Sequence, residues 1–171
     1  MTARSIRRVP ARPATAASES ARRRWRCAYE QRLGEEIRRA RRFDRPLAVA
    51  VLDLVQFAAR NRALDQLAAG RALRELADRL RAQLRAHDVV ARFCADEFCV
   101  LMPDTSVDAA HVALERMAGA LHSLSPPVSA SPPCALGVGL SVLEPGDDVA
   151  TLVKRAQDAL EAAKHHGDGG R

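Results

Sequence analysis

Hydrophobic residues near the start of the chain follow two different patterns in turn. From Arg22 to Arg42 they recur every three or four residues, the spacing that places side chains on one face of a helix. Pro46 ends this pattern, and the residues from Leu47 to Leu54 are then almost continuously apolar. A short apolar run of this kind is typical of a strand that is covered on both faces of its sheet. The two patterns predict a helix followed by a buried strand.

The remainder of the chain alternates between helical and extended patterns. Helices are predicted over 67–85, 107–121 and 149–165, a short helix or turn over 57–63, and strands over 88–93, 97–103 and 134–143. Only three residues separate the strands 88–93 and 97–103, so they are predicted to form a hairpin. A hairpin in the middle of the order excludes a purely doubly wound parallel sheet. We therefore predict an α+β fold of the ferredoxin-like or polymerase-palm type, with a central, mostly antiparallel sheet flanked by helices.

The positive charge of the chain is concentrated at its N-terminus. Residues 1–26 hold eight of the 27 basic residues and one of the 21 acidic residues, which leaves 19 basic and 20 acidic residues for the remainder. A basic nucleic-acid-binding face on the folded part is therefore not indicated. Because residues 1–21 are also rich in Ala, Ser and Thr, we predict a disordered Arg-rich tail there and one domain over 22–171. Binding to nucleic acid is expected only through this tail.

Cysteine spacing and hydropathy indicate a cytoplasmic protein without a membrane anchor. The four cysteines form no C-x-x-C pair and have no zinc-ligand spacing, so we interpret them as reduced thiols. The longest apolar runs are far shorter than the ~20 residues that a membrane span needs. The Arg-rich N-terminus lacks the apolar segment of a secretory signal.

Three carboxylates at predicted strand ends are candidates for a metal site. Asp53 lies at the C-terminal edge of the first strand, and Asp96 and Glu97 lie at the hairpin. Clustered carboxylates repel one another, and a divalent cation is a common reason for bringing them together. Mg²⁺ is held by a few carboxylates plus substrate phosphates, so this cluster suggests metal-assisted phosphoryl transfer. The alternative is that these residues are surface acids beside a turn.

Four segments in the same order resemble one known family. They are RRARRFDRPLAVAVLDL, VLDLVQFAARN, DVVARFCADEFCVLMPDTS and LVKRAQDALEAAKHHG, and the resemblance runs from about residue 35 to residue 167. Together they resemble the GGDEF domain of diguanylate cyclases, which make cyclic di-GMP from two GTP molecules with Mg²⁺. The resemblance implies a palm-type nucleotide cyclase fold.

The resemblance assigns roles to five residues of the GTP site. Asp53 and Asp96 match metal ligands of the family, and Glu97 matches the acid that follows the second ligand. Asn61 matches an Asn that binds guanine, and Lys164 matches a Lys that binds phosphate. Mg²⁺ would be held by Asp53 and Asp96 only if residual GTP binding persists.

Other positions of the same site depart from the family pattern. Two signature glycines are replaced by Cys94 and Ala95, whose side chains disfavour the positive φ of a tight turn and occupy space that GTP phosphates need. Further family residues are replaced by Val55, Ala58, Gly70, Gly137 and Asp168. Several lost contacts, each worth a few kcal/mol, should together abolish turnover. No catalytic residues are expected, and four retained residues are interpreted as vestigial: Asp96, Glu97, Asn61 and Lys164.

A second site of the family is matched without loss. The segment Arg85-Ala-His-Asp88 resembles the inhibitory Arg-x-x-Asp motif, and Arg116 matches a second Arg of that site. An Arg side chain can bond guanine O6 and N7 as a fork, and an Asp can accept from the N1–H and N2–H edge. The resemblance thus implies cyclic di-GMP binding at Arg85, Asp88 and Arg116. A chance Arg-x-x-Asp in an Arg-rich chain is the alternative.

The leading hypothesis is a degenerate GGDEF domain that binds cyclic di-GMP as a signalling receptor and does not synthesise it. An unidentified protein partner and a homodimer bridged by the ligand are expected to accompany this role. Two alternatives remain open: a weakly active diguanylate cyclase, and a protein-interaction module that binds no nucleotide.

Overall fold

The computed structural model describes residues 19–55, 66–93, 97–122 and 135–168. The helices are α1 (Glu19–Phe43), α2 (Gln66–Ala82), α3 (Val107–His122) and α4 (Val149–Asp168). The strands are β1 (Leu47–Val55), β2 (Val89–Arg92), β3 (Glu97–Pro103) and β4 (Ala135–Val142). The predicted short helix at 57–63 and the hairpin turn at 94–96 lie outside the described residues.

The four strands form one antiparallel sheet in the order β2-β3-β1-β4. β1 is therefore an inner strand, hydrogen-bonded to β3 on one side and to β4 on the other. Its register places Asp53 opposite Glu97 of β3 and opposite Gly137 of β4. The predicted α+β fold with an antiparallel sheet flanked by helices is confirmed.

Both faces of the sheet are covered by helices, as the continuous apolar run of β1 predicts. Alternate residues of a strand point to opposite faces, so β1 contributes to two separate hydrophobic clusters. Leu52 and its even-numbered neighbours pack with α2 and α3, against side chains that include Leu76, Leu80, Leu114 and Met117. Val49 and Val51 pack on the opposite face with α1 and α4, against side chains that include Tyr29, Leu33, Leu152 and Leu160.

Gly139 determines how closely α4 approaches the sheet. A Cβ atom at this position would lie 2.0 Å from the carbonyl oxygen of Ala156 and 2.4 Å from the backbone nitrogen of Leu160. Those distances are far inside van der Waals contact, so the helix backbone can rest on β4 only because position 139 has no side chain. The glycine at position 139 thus lets α4 pack directly on the sheet.

The N-terminal boundary differs slightly from the expected one. α1 begins at Glu19, so residues 19–21 belong to the helix and not to the predicted tail. Residues 1–18 lie outside the described part of the chain. Among the described helices, none combines the length and the apolar character that crossing a membrane requires.

Candidate functional site

The carboxylates at the end of β1 lie on the face of the sheet that α4 covers. Asp53 shares this face with Val49 and Val51, and its side chain is 16% exposed. Glu97 is its direct cross-strand neighbour on β3, and side chains at directly opposite positions project to the same face. The structure therefore brings Asp53 and Glu97 together, as the sequence predicted.

Lys164, near the end of α4, contacts the first of these carboxylates, that of Asp53. Its Nζ lies 3.0 Å from Oδ2 of Asp53 and 3.1 Å from Oε1 of Glu161. Partial burial disfavours the charged amine, but the hydrogen bonds to the two carboxylates outweigh it and raise the pKa of Lys164 above its ordinary value. Lys164 is therefore a fixed cation at Asp53. The sequence placed both residues in the GTP site but did not predict their contact.

The described donors do not make a magnesium site. Mg²⁺ needs near-octahedral oxygen ligands at about 2.0–2.1 Å. Asp53, the ligand expected on β1, is already paired with an ammonium group. No group of three or more His, Cys, Asp and Glu side chains suited to a metal ion occurs in residues 19–55, 66–93, 97–122 and 135–168. Asp96, the other expected ligand, lies outside these ranges.

Arg85 and Asp88 form a closed turn between α2 and β2. Oδ2 of Asp88 accepts a hydrogen bond of 2.8 Å from the backbone N–H of Arg85, and the backbone N–H of Asp88 donates to the Arg85 carbonyl at 3.1 Å. These two bonds fix the loop around the motif. The Arg85 side chain is exposed to solvent.

The Asp88 carboxylate retains one acceptor that the turn does not use. Its side chain is only 5% exposed, yet Oδ1 has no hydrogen-bond partner within the described part of the chain. Nε2 of His87 lies 3.8 Å away, beyond hydrogen-bonding distance. A buried carboxylate oxygen without a donor is costly, so a donor that reached this atom would stabilise the carboxylate.

Arg116 joins the Arg85–Asp88 loop from a different helix. It lies on α3, and its Nη2 donates a hydrogen bond of 2.6 Å to the carbonyl oxygen of Gln83, two residues before Arg85. The structure thus places all three residues of the predicted second site around one loop, although 28 positions separate Asp88 from Arg116.

Several predicted site positions remain without a structural account. Asn61, Asp96, Cys94 and Ala95 lie outside the described residues, and so do the side chains of Val55 and Asp168. Two of the replaced positions can be located. Gly70 is buried within α2, where its carbonyl accepts from Nε of Arg74, and Gly137 lies beside Asp53 on β4.

One polar cluster was not predicted from the sequence. Arg155 of α4 pairs with Oδ2 of Asp147 at 2.7 Å and with Oε2 of Glu144 at 2.9 Å. Arg41 of α1 also donates to the backbone carbonyl of Asp147. Arg155 is eight residues from Asp147 and Arg41 is 106 residues from it, and no pattern in the sequence links these positions. The cluster fastens the ends of α1 and α4 to the sheet.

A cavity of about 600 Å³ adjoins this cluster, between α3 and the edge strand β4. Its walls include the apolar side chains of Leu114, Val138 and Leu140. Arg155 also lines the cavity and is already paired with Asp147 and Glu144. The cation best placed to recognise a ligand there is therefore engaged in a structural contact.

Comparison with known proteins agrees with this architecture. Residues 25–169 match the family described as "Diguanylate cyclase, GGDEF domain". The diguanylate cyclase DgcP of Pseudomonas aeruginosa is 35% identical over 147 residues, which make up 83% of this chain and 21% of DgcP. The chain thus spans about a fifth of the length of that relative.

Solved structures show the same fold. The GGDEF domain of TpbB from Pseudomonas aeruginosa superimposes with a TM-score of 0.74 at 31% identity, covering 82% of this chain and 84% of that one. A microbial GGDEF domain whose structure concerns an interaction mode with cyclic di-GMP gives a TM-score of 0.72 at 28% identity, covering 83% and 88%. The family match spans most of the chain, and the sheet and helices agree with those of solved members. The chain therefore belongs to the GGDEF domain family of diguanylate cyclases.

Proposed function

We propose that this chain is a cytoplasmic cyclic di-GMP receptor that binds the nucleotide through Arg85, Asp88 and Arg116 and does not synthesise it. Binding would change the surface around the Arg85–Asp88 loop and so pass the signal to a protein partner. The related GGDEF domain studied with cyclic di-GMP shows that this fold can bind the nucleotide.

The observation that carries the proposal is the buried Asp88 carboxylate with an unused acceptor. Oδ2 holds the loop closed, whereas Oδ1 lacks a donor in the described structure. The N1–H and N2–H groups of a guanine are donors of the required kind. The exposed guanidinium of Arg85 lies on the same loop and can bond guanine O6 and N7, while Arg116 supplies a second positive charge for phosphate.

The absence of synthesis is supported by what surrounds the strand-end site. Gly70 and Gly137 stand where the family has residues with side chains, so the contacts of those side chains are lost. Cys94 and Ala95 replace the signature glycines. Phosphoryl transfer relies on positioned phosphates and metal ions, so the loss of several such contacts removes most of the rate enhancement.

Calorimetric titration of the full chain with cyclic di-GMP tests the receptor role. Wild type should bind, and Arg85→Ala should weaken binding roughly 10–100-fold, the range expected for losing a bidentate contact to a base. Asp88→Asn is the sharper variant. Its amide oxygen can still accept from the Arg85 N–H and keep the turn, but its NH₂ group would face the guanine donors.

Arg81→Ala is a matched control for Arg85→Ala. Arg81 is also exposed, lies four residues earlier in the last turn of α2, and pairs with Asp78 at 3.6 Å. Its removal changes the net charge by the same amount without touching the loop, so cyclic di-GMP affinity should stay close to that of wild type. No measurable heat with wild type, or equal binding by wild type and Arg85→Ala, would reject the receptor role.

A weak cyclase remains the second candidate, because the structure keeps Asp53, Glu97 and Lys164 together at the end of β1. Incubation with GTP and Mg²⁺ or Mn²⁺, followed by chromatography, distinguishes the two functions. We expect no cyclic di-GMP product. Product formed by wild type and lost in Asp53→Asn would establish the cyclase and contradict the absence of synthesis.

A further inference from the structure

We propose that the ammonium group of Lys164 pairs with Asp53 at the end of β1 and thereby excludes a divalent metal ion from that carboxylate. This inference concerns a different end of the domain from the Arg85–Asp88 loop and goes beyond the receptor role. The proposal predicts how tightly the protein binds a divalent metal ion, and this affinity can be measured without nucleotide.

The position of Lys164 follows from the way α4 rests on the sheet. Ala156, Leu160 and Lys164 are spaced four residues apart, so they lie along one face of the helix. The first two are buried against the sheet, and Gly139 permits the close approach of their backbone to β4. The next position along that face, Lys164, is thereby brought to the end of β1.

Gly137 leaves room for the Lys164 side chain to reach Asp53. It is paired with Asp53 across the sheet, and a Cβ there would lie 3.1 Å from Cδ1 of Leu160 and 3.7 Å from Cβ of Asp53. With glycine at this position, no side chain of β4 stands between α4 and Asp53. The Lys164 side chain is accordingly only 32% exposed and the Asp53 side chain 16% exposed.

The contacts of the ammonium group are those of a bound cation. Lys164 has three N–H donors, and two acidic residues, Asp53 and Glu161, lie within hydrogen-bonding distance of its Nζ. Glu97, on the same face, adds a third negative charge nearby. A divalent ion at Asp53 would have to displace the ammonium or tolerate a positive charge about 3–4 Å away, which is strongly unfavourable in a partly buried site.

Manganese titration of the full chain, followed by the electron paramagnetic resonance signal of unbound Mn²⁺, tests the proposal. Wild type should bind Mn²⁺ weakly. Lys164→Met and Lys164→Gln should each increase its affinity for Mn²⁺ roughly 10–100-fold, the size of effect that altering a group next to metal ligands commonly has. Using two neutral replacements guards against a folding defect in either one. Lys164→Arg, which keeps the positive charge, should bind as weakly as wild type.

Two controls test whether the gain in Mn²⁺ affinity arises at the Asp53–Lys164 pair. Lys154→Met removes an exposed lysine of the same helix, one that pairs with Asp158, and should leave Mn²⁺ binding unchanged. Adding Asp53→Asn to Lys164→Met should abolish the gain. Equal Mn²⁺ affinity of wild type and both neutral variants overturns the proposal, as does tight wild-type binding that Asp53→Asn removes. Because no nucleotide is present, failure of the receptor role would leave these results interpretable.

Discussion

Gly139 and Gly119 differ in what an added methyl group would meet. At position 139 the nearest atoms are backbone atoms of α4, at 2.0 and 2.4 Å, whereas at position 119, within α3, no atom lies within 4 Å. Gly139→Ala must therefore push α4 away from β4 and should lower the free energy of unfolding by about 1–3 kcal/mol, the usual cost of overpacking.

Gly119→Ala is the matched control for that substitution. It adds the same methyl group to a solvent-facing helix position and should raise the free energy of unfolding by about 0.5–1 kcal/mol, since alanine loses less backbone entropy than glycine. Urea denaturation measures both values. A Gly139→Ala protein as stable as wild type would show that α4 does not rest on this residue, and would also remove the explanation given for the position of Lys164.

Single residues also show where sequence reasoning stops. Asp53 and Lys164 were each assigned to the GTP site by resemblance, and the structure places them in contact with each other. Their pairing depends on the distance between α4 and β1, which two glycines on a third element permit. This contact depends on how closely α4 packs on the sheet, and the spacing of hydrophobic residues does not predict that distance.

At the scale of elements, the predicted strands and helices differ from the observed ones mainly at their ends. β3 spans the predicted residues, because its apolar run follows Glu97 and ends at Pro103. α2 was predicted to continue to residue 85 but ends at Ala82. Leu84 continues the helical apolar spacing, yet the backbone leaves the helix there to form the turn that Asp88 closes. The side chain of Asp88, six residues after Ala82, thus outweighs the helical spacing of the apolar residues.

The Asp147–Arg155 pair fastens α4 to the turn that follows β4, and its strength should depend on pH. Burial acts to raise the pKa of Asp147. The hydrogen bond from the Glu144 N–H and the pairing with Arg155 outweigh it and hold this pKa below its ordinary value of 3.8. A carboxyl group with a lowered pKa stabilises the fold above its unfolded-state pKa, and this contribution disappears as the pH falls through the folded-state value.

Asp147→Asn should therefore destabilise the protein at neutral pH by about 1 kcal/mol, a modest value because the Arg155 side chain is 36% exposed and its pairing is screened. The difference from wild type should shrink as the pH falls below 3.8, where the wild-type carboxylate becomes protonated. Thermal unfolding of both proteins between pH 7 and pH 3 checks this. Asp158→Asn, which alters an exposed pair on the same helix, should show little effect at any pH. A difference that grows on acidification would contradict the assignment.

For the whole molecule, the fold class was predictable because a hairpin interrupts the alternation of strands and helices. The strand order β2-β3-β1-β4 was not predictable from patterning, since apolar runs do not identify their neighbours. The cluster of Arg85, Asp88 and Arg116 also depends on the fold of the whole domain. Its members come from a loop and from α3, and only the packed domain brings Arg116 to the Gln83 carbonyl.

Cyclic di-GMP has two identical halves, and this symmetry leads to a prediction about assembly. A site that grips one guanine leaves the other base available to a second copy of the chain, and two copies around a symmetric ligand form a closed dimer. Sedimentation velocity should therefore show a shift from the monomer mass of 18.6 kDa to about twice that mass when cyclic di-GMP is added. Arg85→Ala and Arg116→Ala should remain monomeric at the same ligand concentration, and Arg81→Ala should dimerise like wild type. If wild type binds the nucleotide by calorimetry but sediments as a monomer, each copy holds the whole ligand by itself, and the dimer prediction is wrong while the receptor role stands.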